Sequence, residues 1–103
     1  MNADTEIKRV VLLEMRSDAR PSDIDAAFAG VRALPSQVEG VLEAVAGADV
    51  SIDGLAGGYT HGAVLRFADP DTRERYEEHP AHVALAEAME PLTARLLIVD
   101  LVV

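Results

Sequence analysis

The chain has no cysteine and no tryptophan, and only two tyrosines and two phenylalanines among its 103 residues. Without cysteine there is no disulfide, no thiolate nucleophile and no sulfur-ligated metal, and nothing points to an oxidising compartment. So few aromatic rings leave no stacking platform for single-stranded nucleic acid. Basic residues are also scarce. Nine Lys and Arg face eighteen Asp and Glu, for a formal charge of −9, which repels polyphosphate backbones and anionic lipid surfaces. Neither nucleic acid nor a membrane is therefore expected as a partner. No apolar run approaches a membrane span, and Met1 to Arg9 lacks the apolar core of a signal peptide, so the cytoplasm is the expected address.

What is present is half hydrophobic and 26% charged, enough to bury a core as one domain over residues 1–103. Ile7 to Met15 reads as a strand apolar on both faces, with Ile7, Arg9, Val11, Leu13 and Met15 on one side and Lys8, Val10, Leu12 and Glu14 on the other. A chain this short can cover only one of those faces with helices, so the other calls for a second sheet and hence a homodimer. Pro21-Ser22 predicts a helix start with Ser22 as cap and Asp25 at the capping-box position, running to about Leu34 with an apolar stripe of Ile24, Ala27, Phe28, Val31 and Leu34. Pro35 closes that helix or begins a new turn.

Val41 to Asp49 reads as a strand weakened near its end by Ala46 and Gly47, and Asp49 to Gly58 as a long loop with turn pairs Asp53-Gly54 and Gly57-Gly58. Tyr59 to Phe67 is a third strand, placing Tyr59, His61, Ala63, Leu65 and Phe67 on one face. Asp69-Pro70 opens a helix to about Glu78; Pro80 interrupts the pattern, Ala81 to Ala94 resumes it, and Leu96 to Val103 is a last strand. The order βαβ-βαβ predicts an α+β fold of the ferredoxin-like, split βαβ kind: a four-stranded antiparallel sheet with helices on one face, two such sheets pairing as a dimeric α/β barrel.

All three histidines and both tyrosines fall in Tyr59-Thr60-His61 and Tyr76-Glu77-Glu78-His79-Pro80-Ala81-His82. These are the side chains best suited to holding or moving protons near neutral pH. His79-x-x-His82 is not read as a metal pair, because Pro80 breaks the helical spacing and no third ligand stands out. His79, preceding Pro80, is expected to bond the free carbonyls at the end of the preceding helix.

Gly-Tyr-Thr-His on the third strand, Phe67-Ala68-Asp69 at a helix entry and Tyr76-x-x-His79-Pro80-x-His82 together resemble the stress-responsive dimeric α/β-barrel (Dabb) family, over essentially the whole chain. Members of that family include small polyketide cyclases of the olivetolic acid cyclase type, plant stress proteins that assemble into rings, and many bacterial proteins without an assigned role. The resemblance implies a cofactor-free site in which Tyr76 and His82 carry catalysis and His61 lines the pocket. The cyclases carry a further histidine on the first strand, where this chain has Arg9.

The chemistry so implied begins at a carbon between two carbonyls, acidic enough for a neutral imidazole, with a tyrosine hydroxyl holding the oxygen as charge develops. His82 would be the base and Tyr76 the donor, roughly 3 Å apart. The hydrophobic small-molecule substrate would lie among Ile24, Phe28, Val31, Leu65 and Val83, beside His61 and Arg9. Arg9 would suit a carboxylate, an enolate or a thioester-derived substrate. The alternative is a non-catalytic stress or ligand-binding homodimer, with the Tyr76 ring in the core, His82 fixing the Pro80 bend, His61 a satisfied core residue and Arg9 paired with an acid.

Overall fold

The computed structural model describes residues 1–103. Nine elements follow in order: β1 Ile7–Met15, α1 Pro21–Arg32, α2 Leu34–Gln37, β2 Val41–Ala48, β3 His61–Phe67, α3 Pro70–Glu78, α4 Pro80–Met89, a 3₁₀ turn Glu90–Leu92, and β4 Thr93–Val102. The four strands form one antiparallel sheet in the order β2-β3-β1-β4. This is the ferredoxin-like arrangement that the βαβ-βαβ order predicts.

Period-two alternation sorts the sheet into two faces. Ile7, Leu13, Ala63, Leu65 and Phe67 pack under the helices with Val31, Leu34, Val38, Val41 and Tyr76, and Phe28 joins Leu13 and Met15 in a continuation of that core. Register carries the same sidedness into β4, because Arg9 pairs with Asp100, Val11 with Ile98 and Leu13 with Leu96. Leu96, Ile98 and Asp100 therefore share the helix side, while Leu97, Val99 and Leu101 share the open side with Val10, Leu12, Val45 and Val64.

Several boundaries differ from the sequence reading. Arg20, not Ser22, stands at the N-cap of α1, and it makes no side-chain cap bond. Pro21 already occupies the first helical position, where its missing N–H costs nothing, and this moves Ser22 inside the helix. Pro35 starts the separate turn α2. The irregularity of β2 lies at its start, between Val41 and Glu43, rather than at its glycine-bearing end. There Gly40 at φ 91° turns the chain so close to the Thr72 side chain that any Cβ would overlap it, and only glycine fits. The strand β3 begins at His61, leaving Tyr59 and Thr60 in the preceding loop. The final helix stops at Met89 and β4 starts at Thr93, three residues before the predicted Leu96. Pro91 cannot continue the helical ladder, and the carbonyls freed there accept from Thr93 Oγ1 (Met89 O, 2.8 Å) and from Arg16 N (Leu92 O, 2.7 Å).

Candidate active site

The break between α3 and α4 sets the geometry. Asp69 caps α3, accepting from Thr72 N at 2.8 Å and Thr72 Oγ1 at 2.7 Å, and these two bonds hold its carboxyl below the usual range. At the other end His79 leaves the helix with extended backbone (φ −67°, ψ 135°), and Pro80 takes the first position of α4. His79 Nδ1 accepts from Ala81 N at 3.0 Å, so the ring caps the start of α4; His79 also ends α3 as expected, but through its backbone N–H, which donates to Tyr76 O at 3.1 Å, and not through the imidazole. The bend lays the last turn of α3 against the first turn of α4. Tyr76 and His82 meet across it, with ring centroids 4.4 Å apart and planes inclined by 42°.

No hydrogen bond joins Tyr76 to His82, in contrast to the expectation of contact near 3 Å; they meet as rings packed at a tilt. His82 Nδ1 lies 3.1 Å from the backbone carbonyl of Glu77. A carbonyl can only accept, so Nδ1 carries a proton, and in the neutral form of the ring Nε2 keeps its lone pair. The bond also satisfies one of the end carbonyls of α3. The Tyr76 ring is buried and packs on Phe67 at 5.1 Å. Its hydroxyl bonds no protein group, and since no buried side-chain polar atom is left unpartnered, it keeps access to the cavity that Tyr76 borders. Burial pushes the Tyr76 pKa up to about 12, with the nearby Arg9 charge partly opposing it. The phenol therefore stays protonated and acts as a donor.

Arg9 stands on the inner face of β1, 8% exposed. Its guanidinium is gripped side-on by Asp100 (Nε–Oδ1 2.8 Å, Nη2–Oδ2 3.1 Å) and at its end by Glu77 (Nη2–Oε1 3.2 Å). The guanidinium also lies 5.4 Å from the Phe67 centroid and 5.8 Å from that of Tyr76. The hydrogen bonds from Arg9 hold the Asp100 carboxyl below its ordinary value, against the opposing effect of burial.

Between these groups and the sheet lies a cavity of about 420 Å³, within the usual range for small-molecule sites. Arg9, Val11 and Leu13 of β1, Ala63 and Leu65 of β3, and Leu96 and Ile98 of β4 form its floor. Phe28, Val31, Leu34, Tyr76, His82, Leu85, Ala86 and Met89 form its walls, and Glu90, Thr93, Ala94 and Arg95 complete its edge. Of the residues expected to line the pocket, Arg9, Phe28, Val31, Leu65, Tyr76 and His82 do so; three do not. Ile24 packs instead with the Leu13–Met15–Phe28 cluster, and Val83 points outward, 42% exposed. His61 sits at the far end of the inner face, its ring 5.0 Å from Phe28 and its Nδ1 2.9 Å from Thr60 Oγ1.

Leu85, Met89, Leu96 and Ile98 escaped the sequence reading as pocket residues, as did Glu77 and Asp100 as partners of Arg9. A signal for Asp100 was present: it is the lone acid in an apolar last strand, and Arg9 is a lone inward cation in an apolar first strand. No group of three or more His, Asp or Glu is gathered as a metal site would require, and no helix is long and apolar enough to cross a membrane.

Fold and site together define a ferredoxin-like domain that holds an apolar cavity under its helices, with an imidazole, a phenol and a guanidinium on the rim. The stress responsive A/B barrel domain profile matches residues 7–103, and the chain belongs to that family. It is 30% identical over 94 residues to the stress-response A/B barrel domain-containing protein HS1 of Arabidopsis thaliana, an alignment covering 91% of this chain and 86% of HS1. Among solved structures it superposes on a hydroxynitrile lyase from Passiflora edulis with a TM-score of 0.89 at 17% identity, covering 97% and 94% of the two chains. It also superposes on a dimeric ferredoxin-like protein of unknown function from Thermobifida fusca with a TM-score of 0.83 at 20% identity, covering 96% and 92%. At those identities the likeness is one of fold.

Proposed function

We propose that the protein is a cofactor-independent acid–base enzyme acting on an apolar, polyketide-like carbonyl compound, with His82 as base and Tyr76 as hydrogen-bond donor. The observation that carries this reading is the contact of His82 Nδ1 with the Glu77 carbonyl at 3.1 Å. The bond from Nδ1 to the Glu77 carbonyl leaves Nε2 without a protein partner, in a ring that touches the Tyr76 ring, and both residues border an apolar cavity. In a cyclase-type reaction Nε2 takes the proton from a carbon between two carbonyls, and Tyr76 stabilises the enolate oxygen. The enolate carbon then attacks a second carbonyl carbon of the same chain, and the resulting alkoxide recovers the proton from the imidazolium.

We also read the molecule as a homodimer, closed through the open face of the sheet. That face carries Val10, Leu12, Val45, Val64, Leu97, Val99 and Leu101 side by side, and solved neighbours of this fold are dimeric.

Deuterium exchange at the central carbon of an alkyl-substituted β-diketone, followed by NMR, tests the base without knowledge of the natural substrate. Exchange is expected to run well above that in imidazole buffer, to fall by about 10²–10⁴ in His82→Gln, and to fall by roughly 10² in Tyr76→Phe. Exchange no faster than in buffer favours the second reading, a ligand-binding stress protein. That reading draws on the Tyr76 ring, which packs on Phe67 as a core residue would, and on the likeness to HS1.

A further inference from the structure

The hydrogen bonds of Arg9 are incomplete in an informative way. A guanidinium has five N–H groups. Nε–H and both N–H groups of Nη2 are used on Asp100 and Glu77, whereas Nη1 bonds nothing in the protein. No buried side-chain nitrogen is left without a partner, so Nη1 keeps access, and Arg9 borders the cavity that Tyr76 also borders. The side-on grip of Asp100, directly opposite in the β1–β4 register, and the rings of Phe67 and Tyr76 beneath fix the plane of the fork.

Resting on the reading of this cavity as a carbonyl site, we propose that Arg9 Nη1 and the Tyr76 hydroxyl form a two-donor clamp for the oxygen of a neutral ketone, aldehyde or ester, and that the pocket prefers such an oxygen to a carboxylate. Arg9 is already paired with Asp100 and Glu77, and with Arg73 near Asp100 and Arg95 at the cavity edge paired to Glu14 these charges are close to balanced, so a carboxylate at Nη1 gains little net attraction to set against its desolvation. This replaces the expectation that Arg9 recruits an acidic substrate. A neutral carbonyl meets only the donors. As His82 takes the substrate proton, the imidazolium it forms balances the charge appearing on the oxygen. Fixed donors of this kind act on charge that develops during reaction rather than on charge that the ligand brings.

Hexanophenone labelled with ¹³C at the carbonyl, and phenylhexanoate of the same carbon count, separate the possibilities. By calorimetry the wild-type protein is expected to bind the ketone at least about tenfold tighter than the carboxylate. The infrared carbonyl stretch of the bound ketone should lie below its value in an apolar solvent. It should move part of the way back in Tyr76→Phe, and part of the way back in Arg9→Met combined with Asp100→Met. The double substitution is used because Arg9→Met alone leaves the partly buried Asp100 carboxylate without its partner. A bound ketone whose stretch does not respond to loss of Arg9 overturns the clamp, as does a carboxylate that binds wild type as tightly as the ketone; both leave the carbonyl reading standing. Failure of the wild-type protein to bind hexanophenone removes that reading, and the clamp with it.

Discussion

On the helix side of β1 and β3, Ile7, Leu65 and Phe67 are 1%, 3% and 0% exposed, whereas on the other side Leu97, Val99, Leu101 and Val45 remain 44 to 50% exposed, and Leu96 and Ile98 on the helix side of the edge strand β4 are 54% and 45% exposed. The residue types are the same: branched aliphatics on alternating positions of neighbouring strands. What differs is the cover, because both βαβ units cross on one side and leave the other without helices. The covered side has become specific, holding a cavity and a fixed guanidinium; the bare side is a broad apolar surface with ion pairs at its margins, Arg66 with Glu6 and Arg95 with Glu14. A single chain therefore builds a lined cavity on one face and leaves a broad apolar surface on the other.

The sharpest way to break this contrast is to cut into each side in turn. Phe67→Ala on the covered side empties a fully buried position that supports the rings of Tyr76 and the fork of Arg9. It is expected to lower stability by about 3–5 kcal/mol, read as a shift in the urea midpoint. Val99→Asp, opposite Val10 at the middle of the bare side, should leave the monomer fold intact by circular dichroism. It should halve the mass seen by light scattering, because a carboxylate without a partner is not tolerated at a dry interface. A dimer that survives Val99→Asp would place the interface elsewhere and make the apolar face a surface in need of another explanation.

Much of this contrast was legible in the residues, since alternation over Ile7–Met15 and His61–Phe67 assigns each side chain to a face before any coordinate is known. The Asp69-Pro70 start of α3 was legible for a local reason, an aspartate cap followed by a residue that needs no N–H partner. Local signals failed where two were in competition. Ser22 is a good capping residue, but Pro21 before it had already fixed the first helical position; the pattern beyond Ala81 stays apolar through Leu92, yet Pro91 decides where the helix ends.

In the site, the Tyr76–His82 pairing was expected from the family motif Tyr76-x-x-His79-Pro80-x-His82, though as a hydrogen bond and not as the ring contact that the bend at Pro80 produces. The grip of Asp100 on Arg9 depends on a strand register that spans 91 residues, and no local pattern fixes such a register. His61 was placed on the correct face but could not be placed along it: the inner face is longer than the cavity, and His61 lies at its far end against Phe28.

The pH dependence of stability offers a finer comparison, because two groups of the covered side depart from their ordinary values in opposite directions. Tyr76 is raised from 10.0 to about 12 by burial. A raised value means that the unfolded chain loses the proton first. The contribution of this phenol is thus complete below pH 10.0 and is lost as pH climbs toward about 12. Two units correspond to roughly 2–3 kcal/mol. Asp100 is lowered from 3.8 by the hydrogen bonds from Arg9, so its contribution is complete above 3.8 and is lost as pH falls through the depressed value.

Urea midpoints measured across pH should therefore fall on both flanks. The alkaline fall should vanish in Tyr76→Phe, and the acid fall should shrink in Arg9→Met combined with Asp100→Met. A Tyr59→Phe background isolates the remaining phenol for ultraviolet titration, where Tyr76 is expected to ionise near pH 12. Ionisation near the ordinary 10.0 would mean that the ring is wetter than its packing on Phe67 and His82 implies. The covered face would then differ from the bare one in its helices but not in its dryness.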